Sequence, residues 1–209
     1  VENAPENAKA MGAECFQLAL EETQAIEKFA ETLKMRGSRL DVLLHNAAAV
    51  RDKTLINLSE DDWDYLMRVN LKAPFLLTQS LLPLLLSEHT ASGPALPAKI
   101  FFVVSRAALL GSFGASNYSA SKAGLVGLTK SLAQELAQDK ILVNAVNPGF
   151  MLSRMPEGLS ERVIEQNREA SALKKFADPN EVAEFLIYLC SDAMRAVTGQ
   201  VFHFESRRI

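Results

Sequence analysis

Between residues 100 and 122 the chain reads IFFVVSRAALLGSFGASNYSASK. Its first six residues, Ile100–Ser105, form a nearly continuous apolar run that ends on a hydroxyl. Strands buried on both faces read this way because neither face meets water, and they belong to parallel sheets covered by helices. A Gly-containing stretch, Ala107 to Asn117, reads as a loop, and the periodicity from Ser116 to Gln138 predicts a long helix.

The same alternation extends in both directions. Leu40–His45 (LDVLLH), Ile141–Asn147 (ILVNAVN) and Val201–Phe204 (VFHF) are further apolar runs of strand length. Between them lie helical patterns. Glu21–Arg36 carries Ile26, Phe29, Ala30 and Leu33 at helical spacing, and Leu71–Glu88 reads as a second long helix. Ser59 followed by Asp62 marks a helix start before Trp63, Leu66 and Met67. Asp178-Pro179-Asn180-Glu181 marks another, with Asp as the cap, Pro at the first helical position and Glu three residues after the cap. Strand–helix alternation throughout predicts a doubly wound parallel α/β sheet, three layers thick, in a single domain over residues 1–209. Ligands of such sheets bind beyond the carboxyl ends of the strands. The polar residues that close the strands are therefore the ones to examine: His45-Asn46, Ser105 and Asn147-Pro148-Gly149.

Composition narrows the classes. Hydrophobic residues make up 48% and charged residues 22%, which is ordinary for a globular chain. A net charge of −3 and a pI near 5.7 give no basic footprint for nucleic acid, and no basic run suggests a membrane-surface patch. Phe75–Leu86, the most apolar stretch, is too short and too interrupted to span a bilayer. Cys15 and Cys190 have no metal-ligand spacing and read as buried apolar thiols in a reducing compartment, so the expectation is a soluble cytoplasmic protein.

Tyr118 and Lys122 stand at i and i+4, on one face of the predicted helix. A free phenol is a poor acid or base at neutral pH, and a neighbouring ammonium favours its phenolate. Such a pair on its own is as readily a solvated surface pair. Ser105, at the end of a buried strand, offers a hydroxyl to a substrate oxygen, or else it is a plain turn residue. Asn70 lies in an apolar helical context that suits Asn poorly, so its amide needs partners, either as a local cap or as a polar relay. Asn147-Pro148-Gly149 must turn the chain sharply.

Taken in order, these pieces resemble the short-chain dehydrogenase/reductase family from about Ala19 to Gln200. His45-Asn46-Ala47-Ala48 corresponds to the family's Asn-Asn-Ala-Gly, followed by Asn70, Ser105, Tyr118/Lys122 and Pro148-Gly149. DPNEVA (Asp178–Ala183) and Thr198-Gly199-Gln200 are also typical of its C-terminal part. The resemblance implies an oxidoreductase that interconverts a ketone and a secondary alcohol with NADP or NAD, closest in look to 3-oxoacyl-acyl-carrier-protein reductases, a likeness that favours NADP. It implies Tyr118 as general acid/base, with Lys122 lowering the phenol's pKa and binding the nicotinamide ribose. Ser105 would polarise the carbonyl, and Asn70 would hold a water in a proton relay. Asn46, Ala47, Pro148, Gly149, Met151 and Ser153 would line the cofactor. It further implies a small carbonyl or alcohol substrate, acyl in type, and a homodimer or homotetramer through helices 71–88 and 116–138.

The sequence also departs from that pattern. The family's first strand–helix–strand unit, with its Gly-rich phosphate loop, has no counterpart here, since no G-x-x-x-G-x-G occurs. The expectation is a chain truncated before that unit. Ala19 replaces an adenine-contacting Asp, His45 an Asn and Ala48 a Gly, while Phe202–Arg208 (FHFESRR) stands where the family has Val-Asp-Gly-Gly. His45 and His203 read as structural. The stretch 150–177, with Met151, Met155, Leu159 and Ile164, reads as an apolar lid. A second reading is a non-catalytic binding or scaffold protein on the same fold, or an inactive fragment of the enzyme.

Overall fold

A computed structural model describes residues 4–86, 96–151 and 161–207. Four strands form one sheet: β1 (Val42–His45), β2 (Lys99–Val103), β3 (Leu142–Asn147) and β4 (Val201–His203). They pair in chain order, and every pair is parallel, with Val42 opposite Lys99, Lys99 opposite Leu142 and Ala145 opposite Val201. Parallel neighbours need crossovers, and here helices supply them. The consequence for function is geometric: His45, Val103, Asn147 and His203 all end on one rim of the sheet.

The helices are α1 (Ala4–Ala10), α2 (Thr23–Met35), α3 (Glu60–Met67), α4 (Ala73–Leu85), α5 (Ala107–Leu110), α6 (Ser116–Glu135), α7 (Glu161–Ala170) and α8 (Pro179–Cys190). Strand alternation sorts the core into two layers. Ile100, Phe102 and Val104 point to one face with Val143 and Ala145, where they meet Leu85, Leu125 and Ala133 from α4 and α6. Phe101 and Val146 point to the other, where Leu189 and Phe185 of α8 cover them. Ala30 of α2 packs on Leu81 and Leu84 of α4. The three-layer α/β/α architecture is the expected one. Both helix starts hold as well: Ser59 Oγ accepts from Asp62 N at 3.2 Å, and Asp178 Oδ1 from Asn180 N at 2.7 Å.

Several expectations are corrected. The helix expected at Leu71–Glu88 is entered through a π-turn, Arg68–Lys72, that joins α3 to α4 without a break. The loop expected at Ala107–Asn117 contains α5, because Arg106 to Leu110 closes a helical turn onto Gly111, whose φ of 71° ends it. Cys15 is exposed and Cys190 half-buried, so neither is a core thiol. Lys99 is buried at the start of β2 because its ammonium caps α8, donating to the carbonyls of Cys190 at 2.7 Å and Ser191 at 2.5 Å. The outer edge of β1 pairs with no strand among the described residues, and Leu44 there is 42% exposed. No helix among the described residues is long and apolar enough to cross a membrane.

Candidate active site

β2 carries Ser105 to the rim, and the first turn of α6 brings Tyr118 beside it. The Ser105 hydroxyl donates toward the phenol oxygen and accepts from Ala107 N at 3.2 Å, which fixes its direction. One turn further along α6, Lys122 is only 2% exposed. Its ammonium donates to the Val103 carbonyl at 2.7 Å and lies 5.9 Å from the centre of the Tyr118 ring. Burial lowers the Lys122 pKa to about 8, so its charge is sensitive to mild alkalinity.

The surroundings of Tyr118 act on its phenol in opposite directions. Burial is the largest influence on the phenol and pushes its pKa up; the Ser105 hydrogen bond opposes this, and the negative charge of Asp52 adds to the rise. Lys122 spends its charge on a strand carbonyl instead of on the phenolate. The Tyr118 phenol is therefore held protonated through the neutral range.

Asn70 comes to the site on the π-turn and is 1% exposed. Its Oδ1 accepts from Ala49 N at 2.8 Å, and its Nδ2 donates to Ala49 O at 2.9 Å and to Ser121 Oγ at 3.3 Å. That amide clamps the segment leaving β1 to α6. π-turns often bring a functional side chain inward, as here. Asn46 and Ala47 stand exposed on the clamped segment, beside a cavity of about 140 Å³ bordered by Leu20, Phe29 and Leu43.

The residues that sequence reasoning missed hold this frame. Asn117 is fully buried; its Nδ2 donates to Arg51 O at 3.0 Å and its Oδ1 accepts from Tyr118 N at 2.8 Å. Ser121 Oγ donates to Tyr118 O at 2.8 Å. Asp62 receives Lys53 at 2.6 Å and Arg51 at 3.0 Å, and these bonds, with that from Ser59, lower its pKa to about 2. The Arg51–Lys53 segment is thereby held to α3 through Asp62 and to the start of α6 through Asn117. The signal in the sequence was weak: Asn117 and Ser121 flank Tyr118 as ordinary polar residues, and their burial depends on the loop folding over them.

On the far side, Asn147 Oδ1 accepts from Gly149 N at 3.2 Å. Gly149 has φ of 81°, and a Cβ there would lie 2.6 Å from Phe204 O, so only glycine fits. Pro148, Gly149 and Met151 are half-buried on the same rim; Ser153, like Met155 and Leu159 of the expected lid, lies outside the described residues. His45 is structural: it stacks on Phe102 and meets Thr78 Oγ1 at 2.9 Å, and burial lowers its pKa to about 4, leaving it neutral. His203 Nδ1 faces Asn147 Nδ2 at 3.2 Å. No cluster of His, Cys, Asp and Glu suited to a metal ion occurs among the described residues.

The donor set suits a nicotinamide riboside. An ammonium has three N–H groups and Val103 takes one, which leaves donors for ribose hydroxyls. The two hydroxyls of Ser105 and Tyr118 lie together beside that ammonium.

Comparison with known proteins places the chain in a family. The profile of the family described as enoyl-(acyl carrier protein) reductase matches residues 1–206. A 3-oxoacyl-(acyl-carrier-protein) reductase of Thermotoga maritima is 38% identical over 190 residues, 91% of this chain and 74% of its own length. Those of Aquifex aeolicus and of Staphylococcus aureus are 37% and 36% identical, over 93% and 95% of this chain and 75% and 78% of theirs.

Proposed function

The chain belongs to the short-chain dehydrogenase/reductase family, and on that footing we propose that it reduces the ketone of a 3-oxoacyl thioester with NADPH. The observation that carries this reading is the Ser105–Tyr118 hydroxyl pair, backed by buried Lys122, at the carboxyl end of β2. The nicotinamide cofactor supplies the hydride to the carbonyl carbon. Tyr118 gives its phenolic proton to the carbonyl oxygen, and Ser105 holds that oxygen and stabilises the charge that gathers on it. The raised pKa keeps the phenol protonated, the form the acid role requires. Lys122 binds the ribose. Asn70 acts as a clamp that keeps Asn46 and Ala47 in place along the cofactor, with Pro148, Gly149 and Met151 opposite.

The family description names an enoyl substrate, and the relatives a 3-oxoacyl one. Two hydroxyls aimed at one oxygen favour the ketone, whose oxygen becomes the alkoxide. A homodimer through α4 and α6 belongs to the same reading. Phe75 is 41% exposed there, and a Cβ at Gly127 meets no atom of its own chain, which leaves room for a partner helix.

The test is a titration with NADPH and NADH followed by melting temperature, then turnover with 3-oxoacyl and 2-enoyl thioesters. A cofactor that binds raises the melting temperature by linkage. The proposal expects a shift with NADPH and oxidation of NADPH by the 3-oxoacyl substrate. Binding of neither cofactor at millimolar concentration, or turnover of the enoyl substrate alone, contradicts it.

A further inference from the structure

The C-terminal segment after β4 departs from the family pattern, and its structure gives the departure a purpose. Glu205 is a buried carboxylate, with its side chain 3% exposed and that of its partner Arg207 11% exposed. One oxygen, Oε2, takes Arg207 Nε at 2.5 Å, and the other, Oε1, takes Asn147 Nδ2 at 2.6 Å. Burying such a pair is weak support for stability, because apolar residues of the same volume generally do as well. What the pair does supply is direction. A carboxylate only accepts hydrogen bonds, so it compels Asn147 to present Nδ2 to it. The Oδ1 of that same amide then faces Gly149 N at 3.2 Å. Glu205 reinforces an orientation that the Gly149 N–H and His203 Nδ1, 3.2 Å from the same Nδ2, already favour: a flip would set an oxygen against the carboxylate and an NH₂ against the Gly149 N–H.

The same segment is tied to α7. Arg207 Nη1 donates to Asn167 Oδ1 at 2.8 Å, Ser206 Oγ meets Ser171 Oγ at 2.6 Å, and Ala172 N donates to Ser206 O at 3.1 Å. Phe204 N donates to Asn147 O at 2.8 Å, and Phe204 O with the Glu205 Cβ fills the space beside Gly149. A cavity of about 320 Å³ lies between this strap and Phe150, Leu173 and Phe176.

We propose that Glu205 is a positioning residue for the cofactor: through the Asn147 amide it sets the Asn147-Pro148-Gly149 turn, and through Arg207 it joins that turn to α7. This rests on the reading of the turn as a nicotinamide-facing wall. The decisive variant is Glu205→Leu/Arg207→Leu, which replaces the ion pair with apolar volume. It is expected to fold with a melting temperature near that of the parent, while its dissociation constant for NADPH, measured by fluorescence titration, rises about tenfold. Glu205→Gln, which still offers an oxygen to Asn147, is expected to bind NADPH within about threefold of the parent. A merely structural role predicts the reverse, with affinity kept in the double variant once folded protein is counted. Parental affinity in the double variant overturns the proposal. If the double variant does not accumulate folded, Glu205→Asp takes its place: one methylene shorter, it cannot reach both Asn147 and Arg207, and unchanged NADPH affinity again overturns the proposal. A parent that binds NADPH but turns over no 3-oxoacyl thioester contradicts the ketoreductase reading alone, since the comparison of dissociation constants still decides this one. A parent that binds no nicotinamide cofactor overturns both.

Discussion

Lys122 exchanges nearly all of its water for one strand carbonyl, and burial brings its pKa to about 8. The sign of the consequence follows directly. Below about pH 8 the ammonium is charged and, in the proposed function, donates to a ribose; above it the neutral amine is a weaker donor. Cofactor affinity is therefore expected to be flat below about pH 7 and to weaken about tenfold as pH rises through 8 toward 10, the difference between a charged and a neutral donor. Titrations of cofactor across that range check it, and Lys122→Met should bind weakly with no slope. A parent whose affinity is constant to pH 10 would show that Lys122 does not hold the ribose.

At this scale the sequence was legible where chemistry is local. Tyr118, Lys122 and Ser105 were found from spacing and strand ends, and the structure brings them together. What the sequence does not show is what the lysine bonds to. Val103 O, a backbone atom on another element, takes that charge. Asn70 was flagged as a buried amide in need of partners, and its partners are Ala49 and Ser121. Asn117 and Asn147 gave no such warning, since polar residues at a helix start and a strand end are ordinary.

Among the elements, the turn Asn147-Pro148-Gly149 is the most constrained. Gly149→Ala must accept both a left-handed backbone and a Cβ placed 2.6 Å from Phe204 O. Together these are expected to cost roughly 3 kcal/mol, read as a fall in melting temperature of roughly 6–12 °C for a chain of this size. The folded remainder should bind cofactor less tightly, because the strap must move to make room. A variant with parental melting temperature would mean that this turn is looser than its geometry shows. The strands and long helices were legible because burial on one or both faces imposes a period on the sequence. The π-turn at Arg68–Lys72 and the helix α5 were not, because neither has a period of its own. The π-turn exists where Asn70 is drawn inward by Ala49, a contact twenty-one residues away along the chain.

For the whole molecule, four parallel strands gather the described candidate residues toward one rim, which is why the fold, once recognised, located the site. The opposite long helices, α4 and α6, then face outward with Phe75 and the open side of Gly127. Phe75→Asp should leave the fold intact and convert the dimer, or the larger homo-oligomer, to smaller species by light scattering. A parent that is already monomeric contradicts that assembly. The central claim is that Tyr118 gives the proton that completes reduction of a ketone. Its most direct measurement is the turnover of a 3-oxoacyl thioester by the parent and by Tyr118→Phe, with NADPH binding measured in both. The account predicts a fall in kcat of about 10²–10⁴-fold in Tyr118→Phe, with NADPH affinity changed by less than about threefold. Turnover that survives the loss of the phenol, in a variant that still binds NADPH, would contradict it.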